Sequence, residues 1–124
     1  MDQSAKLRAE YESKLEEYEK SGDSKGKAAT LYEMAKLEIS EGNQEQALLM
    51  LMEAYSRFQK LGESRGHCFA GELLGQLLFV SGNREDGLAV VREAFRGFTE
   101  MGMSDEAEKT GQLLAVMEEH AAGE

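Results

Sequence analysis

The sequence predicts an all-α chain of stacked antiparallel helical hairpins, about six helices in a single domain spanning 1–124, and three observations predict it. Glycines stand at Gly22, Gly42, Gly62, Gly82 and Gly102, a constant twenty residues apart. The stretches between them are rich in Leu, Ala, Glu, Lys and Gln, and the chain holds no proline to interrupt a helix. Alternate segments match better than neighbouring ones, so the full repeat is forty residues long and two helix types alternate. Gly22-Asp23-Ser24-Lys25-Gly26 returns as Gly62-Glu63-Ser64-Arg65-Gly66, and Gly42-Asn43-Gln44 returns as Gly82-Asn83-Arg84.

Each helix follows from its own stripe and its own punctuation. Each glycine ends a helix, where a left-handed residue is needed, and the capping types Ser24, Asn43, Ser64, Asn83 and Ser104 open the next. The resulting spans are 2–20, 24–41, 44–60, 64–81, 84–100 and 104–121. The first carries one narrow apolar stripe, Leu7, Tyr11, Leu15 and Tyr18, surrounded by charge from Lys6 to Lys20. In the second the stripe is Leu31, Met34, Ala35 and Leu37. The third carries Ala47, Leu51, Ala54, Tyr55 and Phe58. Its unbroken run Leu48-Leu49-Met50-Leu51-Met52 predicts cover on more than one side. Gly71, Leu74, Gly75, Leu77 and Leu78 mark the fourth, and Gly87, Val91, Ala94, Phe95 and Phe98 the fifth. The sixth has Gly111, Leu114, Ala115 and Met117. Helices approach closely only where side chains are short, so Ala35, Gly75 and Ala115 are expected at hairpin contacts.

Composition excludes several function classes. Fourteen basic residues against twenty-four acidic ones give a formal charge of -10, which repels phosphate backbones and anionic lipid, so neither nucleic acid nor membrane is expected as a partner. The lone Cys68 has no internal disulfide partner, and the first twenty residues are too charged for a signal peptide, which predicts a cytoplasmic location. No nucleophile with a base, no metal-ligand cluster and no phosphate loop is assembled, so no enzyme activity, metal or cofactor is expected. His67 and Cys68 are adjacent, and adjacent helical residues point about 100° apart, too far to grip one ion. Cys68 reads as a packed small residue and His67 as a surface one. The pairs Glu16-Glu17 and Glu118-Glu119 read as solvated charge.

Across nearly its whole length the chain resembles the tetratricopeptide-repeat (TPR) family, in particular the subgroup with repeats of about forty residues. The large-then-small pair of that family's first helix is matched by Met34-Ala35, Leu74-Gly75 and Leu114-Ala115. The small, bulky, small positions of its second helix are matched by Ala47, Leu51, Ala54 and by Gly87, Val91, Ala94. The chain departs from the pattern where Leu31, Gly71 and Gly111 replace an aromatic, and in having no closing proline.

The resemblance implies a right-handed solenoid and a protein-protein interaction scaffold whose concave groove is lined by the first helix of each hairpin. On these helices the groove would present Tyr32, Lys36 and Ile39, then Phe69, Glu72, Gln76 and Phe79, then Lys109, Gln112 and Val116. With three aromatics and only two cations, such a wall suits an apolar or amphipathic segment of a partner protein better than a carboxylate tail. The alternative is a self-assembly module. Leu113-Leu114-Ala115-Val116-Met117 turns through more than a full helical circuit, and the register expects another helix to cover it, so self-association as a homodimer through Leu113, Val116 and Met117 is predicted.

Overall fold

In the computed structural model, which describes residues 2–123, the chain folds into six α-helices and, among those residues, no strand. They are α1 (Gln3–Ser21), α2 (Ser24–Ser40), α3 (Gln44–Leu61), α4 (Ser64–Val80), α5 (Arg84–Glu100) and α6 (Ser104–Ala122). Every expected boundary falls within one residue of these. The joints explain why. All five punctuating glycines take a left-handed φ, between 69° and 103°, which a residue without Cβ adopts without clashing with its own carbonyl.

The residue after each glycine then closes the turn. Asp23, Asn43, Glu63, Asn83 and Met103 donate their backbone N–H to the carbonyls of Tyr18, Glu38, Phe58, Leu78 and Phe98, at 2.8–3.0 Å, satisfying a group the helix end would leave open. Four of them also supply the first acceptor of the following helix: Asp23 to Lys27, Asn43 to Ala47, Asn83 to Gly87 and Met103 to Ala107. One residue thus ends one helix and begins the next. The expected caps Ser24, Ser64 and Ser104 are instead the first residues of their helices. The cap of α2 is Asp23, whose carboxylate accepts from Gly26 N at 2.8 Å, while Asn43 and Asn83 hold the cap position without a side-chain bond.

The chain forms two compact units divided after Glu63. In the N-terminal unit, α2 and α3 bury Ala28, Leu31, Met34, Ala35, Ala47, Leu51, Ala54 and Phe58, whereas α1 buries nothing fully. Charge ties α1 down. Arg8 donates to Glu38 at 2.5 Å and also to Glu41, and Lys27 on α2 donates to Glu19 on α1 at 2.5 Å while standing 3.6 Å from Glu53 on α3. Arg8 therefore faces α2, although the sequence placed it among the charges around the stripe.

In the C-terminal unit α4 and α5 meet through glycine. A Cβ on Gly75 would collide with the Val91 side chain and lie 2.8 Å from the carbonyl oxygen of Gly87. A Cβ on Gly87 would lie 2.6 Å from the carbonyl oxygen of Gly75. On one side of this contact Cys68, Ala94 and Phe98 form a buried cluster with Phe69, Met103 and Ala107 packed on it. On the other, Leu88, Val91 and Met117 are joined by Phe79, Leu113, Leu114 and Ala121.

Three expectations about the core are corrected. Ala115 is exposed: the position that lies buried in α2 and α4 meets no following helix in α6 among the described residues. The apolar run on α3 is not covered all round, since Leu49 is 67% and Met52 50% exposed while Leu51 is fully buried. Phe95 lies at the margin of its stripe, 37% exposed, with its ring edge over Gly111.

Candidate functional site

Two turns of α6 and the end of α4 enclose an open apolar cleft of about 420 Å³ in the C-terminal unit. Gln76, Phe79 and Val80 come from α4, Gly82 from the joint, Arg84 from the start of α5, and Leu113, Val116, Met117 and His120 from α6. The spacing of Leu113, Val116, Met117 and His120 puts all four on one side of a helix, because residues three and four apart are neighbours there. The floor is firm. Met117 is buried against Leu88 and Val91, and Phe79 and Leu113 are packed on the same cluster with part of their surface left in the cleft. Val80 and Val116 stand proud of it at 66% and 54% exposure.

Polar groups sit at the margin. The Arg84 guanidinium lies over the Phe79 ring, 5.5 Å from its centroid, a cation–π geometry that holds the charge beside the apolar floor. Glu119 lies outside the lining, in an adjoining depression next to Val116 and His120. About one turn before the lining on each helix, the fully buried Thr110 hydroxyl of α6 donates to the Glu72 carboxylate of α4, tying the two helices together.

The residues singled out from the sequence are therefore distributed as follows. Gln76 and Phe79, expected in a groove, and Leu113, Val116 and Met117, expected in a self-association face, line one and the same cleft. Met117 contributes from below, because burial removes it from direct contact, so of the three only Val116 is widely open. Phe69 and Glu72 are occupied by the fold: Phe69 packs edge-on against Phe98 at 5.0 Å, and Glu72 is bonded to Thr110. Lys109 and Gln112 are exposed on α6 outside the cleft lining. In the N-terminal unit Tyr32 and Ile39 are half-buried on α2, and Lys36 lies 5.4 Å from the Tyr32 ring centroid and 3.6 Å from Glu33.

Sequence reasoning missed Val80, Gly82, Arg84 and His120. An exposed valine directly before a joint was a signal that could have found the cleft. Arg84 could not be found that way, because its place depends on how α5 folds back over Phe79.

The remaining chemistry is quiet. Burial, and after it the nearby Glu93 and Glu100, push the Cys68 thiol up, which leaves it poorly nucleophilic. His67 is half-buried rather than fully at the surface. Among the described residues no group of three or more His, Cys, Asp or Glu stands together as a metal site, and no helix is long and apolar enough to cross a membrane. Comparison with family models, curated proteins and solved structures finds no match to this chain.

Proposed function

We propose that this chain is a non-catalytic scaffold of the tetratricopeptide kind, a right-handed solenoid working in the cytoplasm, and that it holds an apolar or amphipathic segment of a partner protein between α4 and α6. The observation that carries the reading is the cleft itself: an apolar floor of Phe79, Leu113 and Met117 with the open side chains Val80 and Val116 beside it. Firm apolar clefts between helices are a common docking place for a helical segment, which inserts side chains at i, i+3 or i+4, and i+7. The forty-residue alternation and the backbone bond that closes all five joints in the same way support the repeat architecture. The net charge of -10 supports a protein over a nucleic-acid ligand.

A second reading is favoured by Val116 alone, whose exposure on α6 also suits pairing with a second copy. One experiment separates them. Helical peptides selected from a random library against the chain should lose affinity on Val116→Glu and Phe79→Ala, and keep it on Leu49→Glu, which alters the equally exposed α3. If Leu49→Glu removes binding and Val116→Glu does not, the cleft is not the site. If the chain sediments as a dimer that Val116→Glu dissociates, self-assembly is the better reading.

A further inference from the structure

The α4–α6 cleft is apolar at its floor and acidic around its mouth. Glu119 stands exposed on α6 one turn beyond Val116, and shares with it and His120 the depression that adjoins the cleft. Glu118 beside it donates its charge to a tie with Arg92 at 3.1 Å. At the start of α5, Glu85 and Asp86 are exposed, and Glu85 lies one turn before Leu88, which packs with Met117 under the cleft. Four carboxylates, Glu85, Asp86, Glu118 and Glu119, thus stand on this part of α5 and α6 against two guanidinium groups, Arg84 and Arg92.

Arg84 does not reverse that balance for a ligand. Its guanidinium lies over the Phe79 ring at 5.5 Å and makes a further interaction within the fold, so it is committed to the protein itself. His120, the other basic group of the lining, carries an imidazole, a ring that accepts a hydrogen bond as readily as it donates one. The helix poles favour a cation too. α4 ends at the cleft with Val80 and no basic residue in its last turn, and the carbonyl end of a helix carries roughly half a negative charge. The opposite pole, at the start of α5, is offset by Glu85 and Asp86.

We infer that the occupant of this cleft is a basic amphipathic helix of a partner protein, whose apolar face seats on Phe79, Leu113 and Val116 while a lysine or arginine at the edge of that face runs past Val116 to Glu119 and a second meets the carboxylates at the start of α5. The inference rests on the scaffold reading above and adds the charge of the ligand. Long basic side chains suit the shape as well as the sign. Val116, 54% exposed, stands between the floor and Glu119, and an aliphatic stem covers such a shoulder while its charged head stays in water beside the carboxylate. The same carboxylates repel an acidic helix of equal hydrophobicity, which adds selectivity.

The test uses three fluorescein-labelled synthetic peptides of the same length, each with leucines at i, i+3 and i+7. One carries lysines beside the leucines, one glutamines and one glutamates. Anisotropy with the whole chain at low salt should show the lysine peptide binding about tenfold tighter than the glutamine one, and the glutamate peptide weakest. The gap should shrink in about 0.5 M sodium chloride. Glu85→Gln with Glu119→Gln should remove most of it, whereas Asp105→Asn with Glu108→Gln, which takes the same charge from the other end of α6, should leave most of it. Circular dichroism of both double variants confirms that each is folded. Val116→Ser should weaken the lysine and glutamine peptides alike.

Equal affinities for the lysine and glutamine peptides, or a glutamate peptide that binds tightest, would overturn the charge inference and leave the scaffold reading standing. A lysine preference lost equally in both double variants would belong to the overall charge of -10 rather than to the cleft, and would overturn the inference too. Binding of none of the three would overturn both readings. A wild-type chain that dimerises in sedimentation, and whose dimer Val116→Glu dissolves, would show that a second copy holds the cleft and would overturn the inference as well.

Discussion

The two units are built from the same forty-residue pattern and each buries an apolar core, but they differ at the contact between their paired helices. Where the N-terminal unit has Ala35 and Ala47, the C-terminal unit has Gly75 and Gly87, and there the backbones of α4 and α5 come closer than a methyl group would allow. The N-terminal unit adds polar ties between its helices through Arg8, Lys27 and their carboxylates, and through Arg57, which donates to Ser24 at 3.0 Å, while the C-terminal unit has Arg92 donating to Glu118 at 3.1 Å and Thr110 donating to Glu72. All four tyrosines lie in that unit, and four of the five phenylalanines lie in the other. On the outward side of α3 stand Leu49 and Met52; the positions forty residues on, in α5, are Ala89 and Arg92. One repeat, therefore, tolerates either alanine or glycine at the contact of its paired helices, with different polar ties around it.

The largest expected effect lies in the tightly packed unit. Leu74→Ala removes a side chain that is 4% exposed and should cost about 2–5 kcal/mol through lost burial and a residual cavity. Leu15→Ala, on the half-buried stripe of α1, should cost less, and denaturant titration of both decides it. Equal losses would remove the contrast between the units.

Next comes the glycine contact. Gly87→Ala forces a Cβ against the backbone of α4, including Phe79 N at 2.8 Å, and should cost about 1–3 kcal/mol despite a gain of about 1 kcal/mol in helix propensity. A neutral or stabilising Gly87→Ala in a thermal melt would mean that the close approach is not what the glycines provide.

The charged ties give a smaller, pH-dependent effect. The Lys27 ammonium beside Glu19 and the Arg8 guanidinium beside Glu41 hold both carboxyls below the usual carboxylate range, in each case chiefly by a direct hydrogen bond. A depressed folded-state pKa contributes stability above the ordinary carboxylate value and loses it as the pH falls through the depressed one. Thermal midpoints should therefore fall from about pH 5 downward, and Arg8→Met with Lys27→Met should flatten that slope. An unchanged slope in the double variant would assign the acid sensitivity to other groups. Smallest of all, Leu49→Lys on the outward side of α3 should shift stability by no more than about 0.5 kcal/mol.

Much of this was legible in the sequence, and the reason is local. A left-handed residue stands at each of the five joints between helices, and glycine provides it, so those boundaries could be read from Gly22 to Gly102 without any knowledge of packing. Periodicity likewise gave the faces of α3 and α5, whose Ala47, Leu51, Ala54, Phe58 and Gly87, Val91, Ala94, Phe98 are all buried. It failed where the question was what stands opposite a face. Leu114, Ala115, Val116 and Met117 are equally apolar as letters, yet Met117 is buried, Leu114 half-buried, and Ala115 and Val116 exposed, because only one side of α6 meets α4 and α5. Glu72 failed in the same way: its place on the face away from the stripe suggested a groove, while its partner Thr110 lies thirty-eight residues further on.

The partition of aromatic residues has a practical corollary. With no tryptophan in the chain, its near-ultraviolet emission comes from Tyr11, Tyr18, Tyr32 and Tyr55, every one of them before residue 64. Fluorescence therefore watches one half of the molecule and is nearly blind to the other, whereas far-ultraviolet dichroism weighs all six helices. Coincident melts by the two signals would establish a single cooperative transition, and separated melts would time the loss of each half without any label being attached.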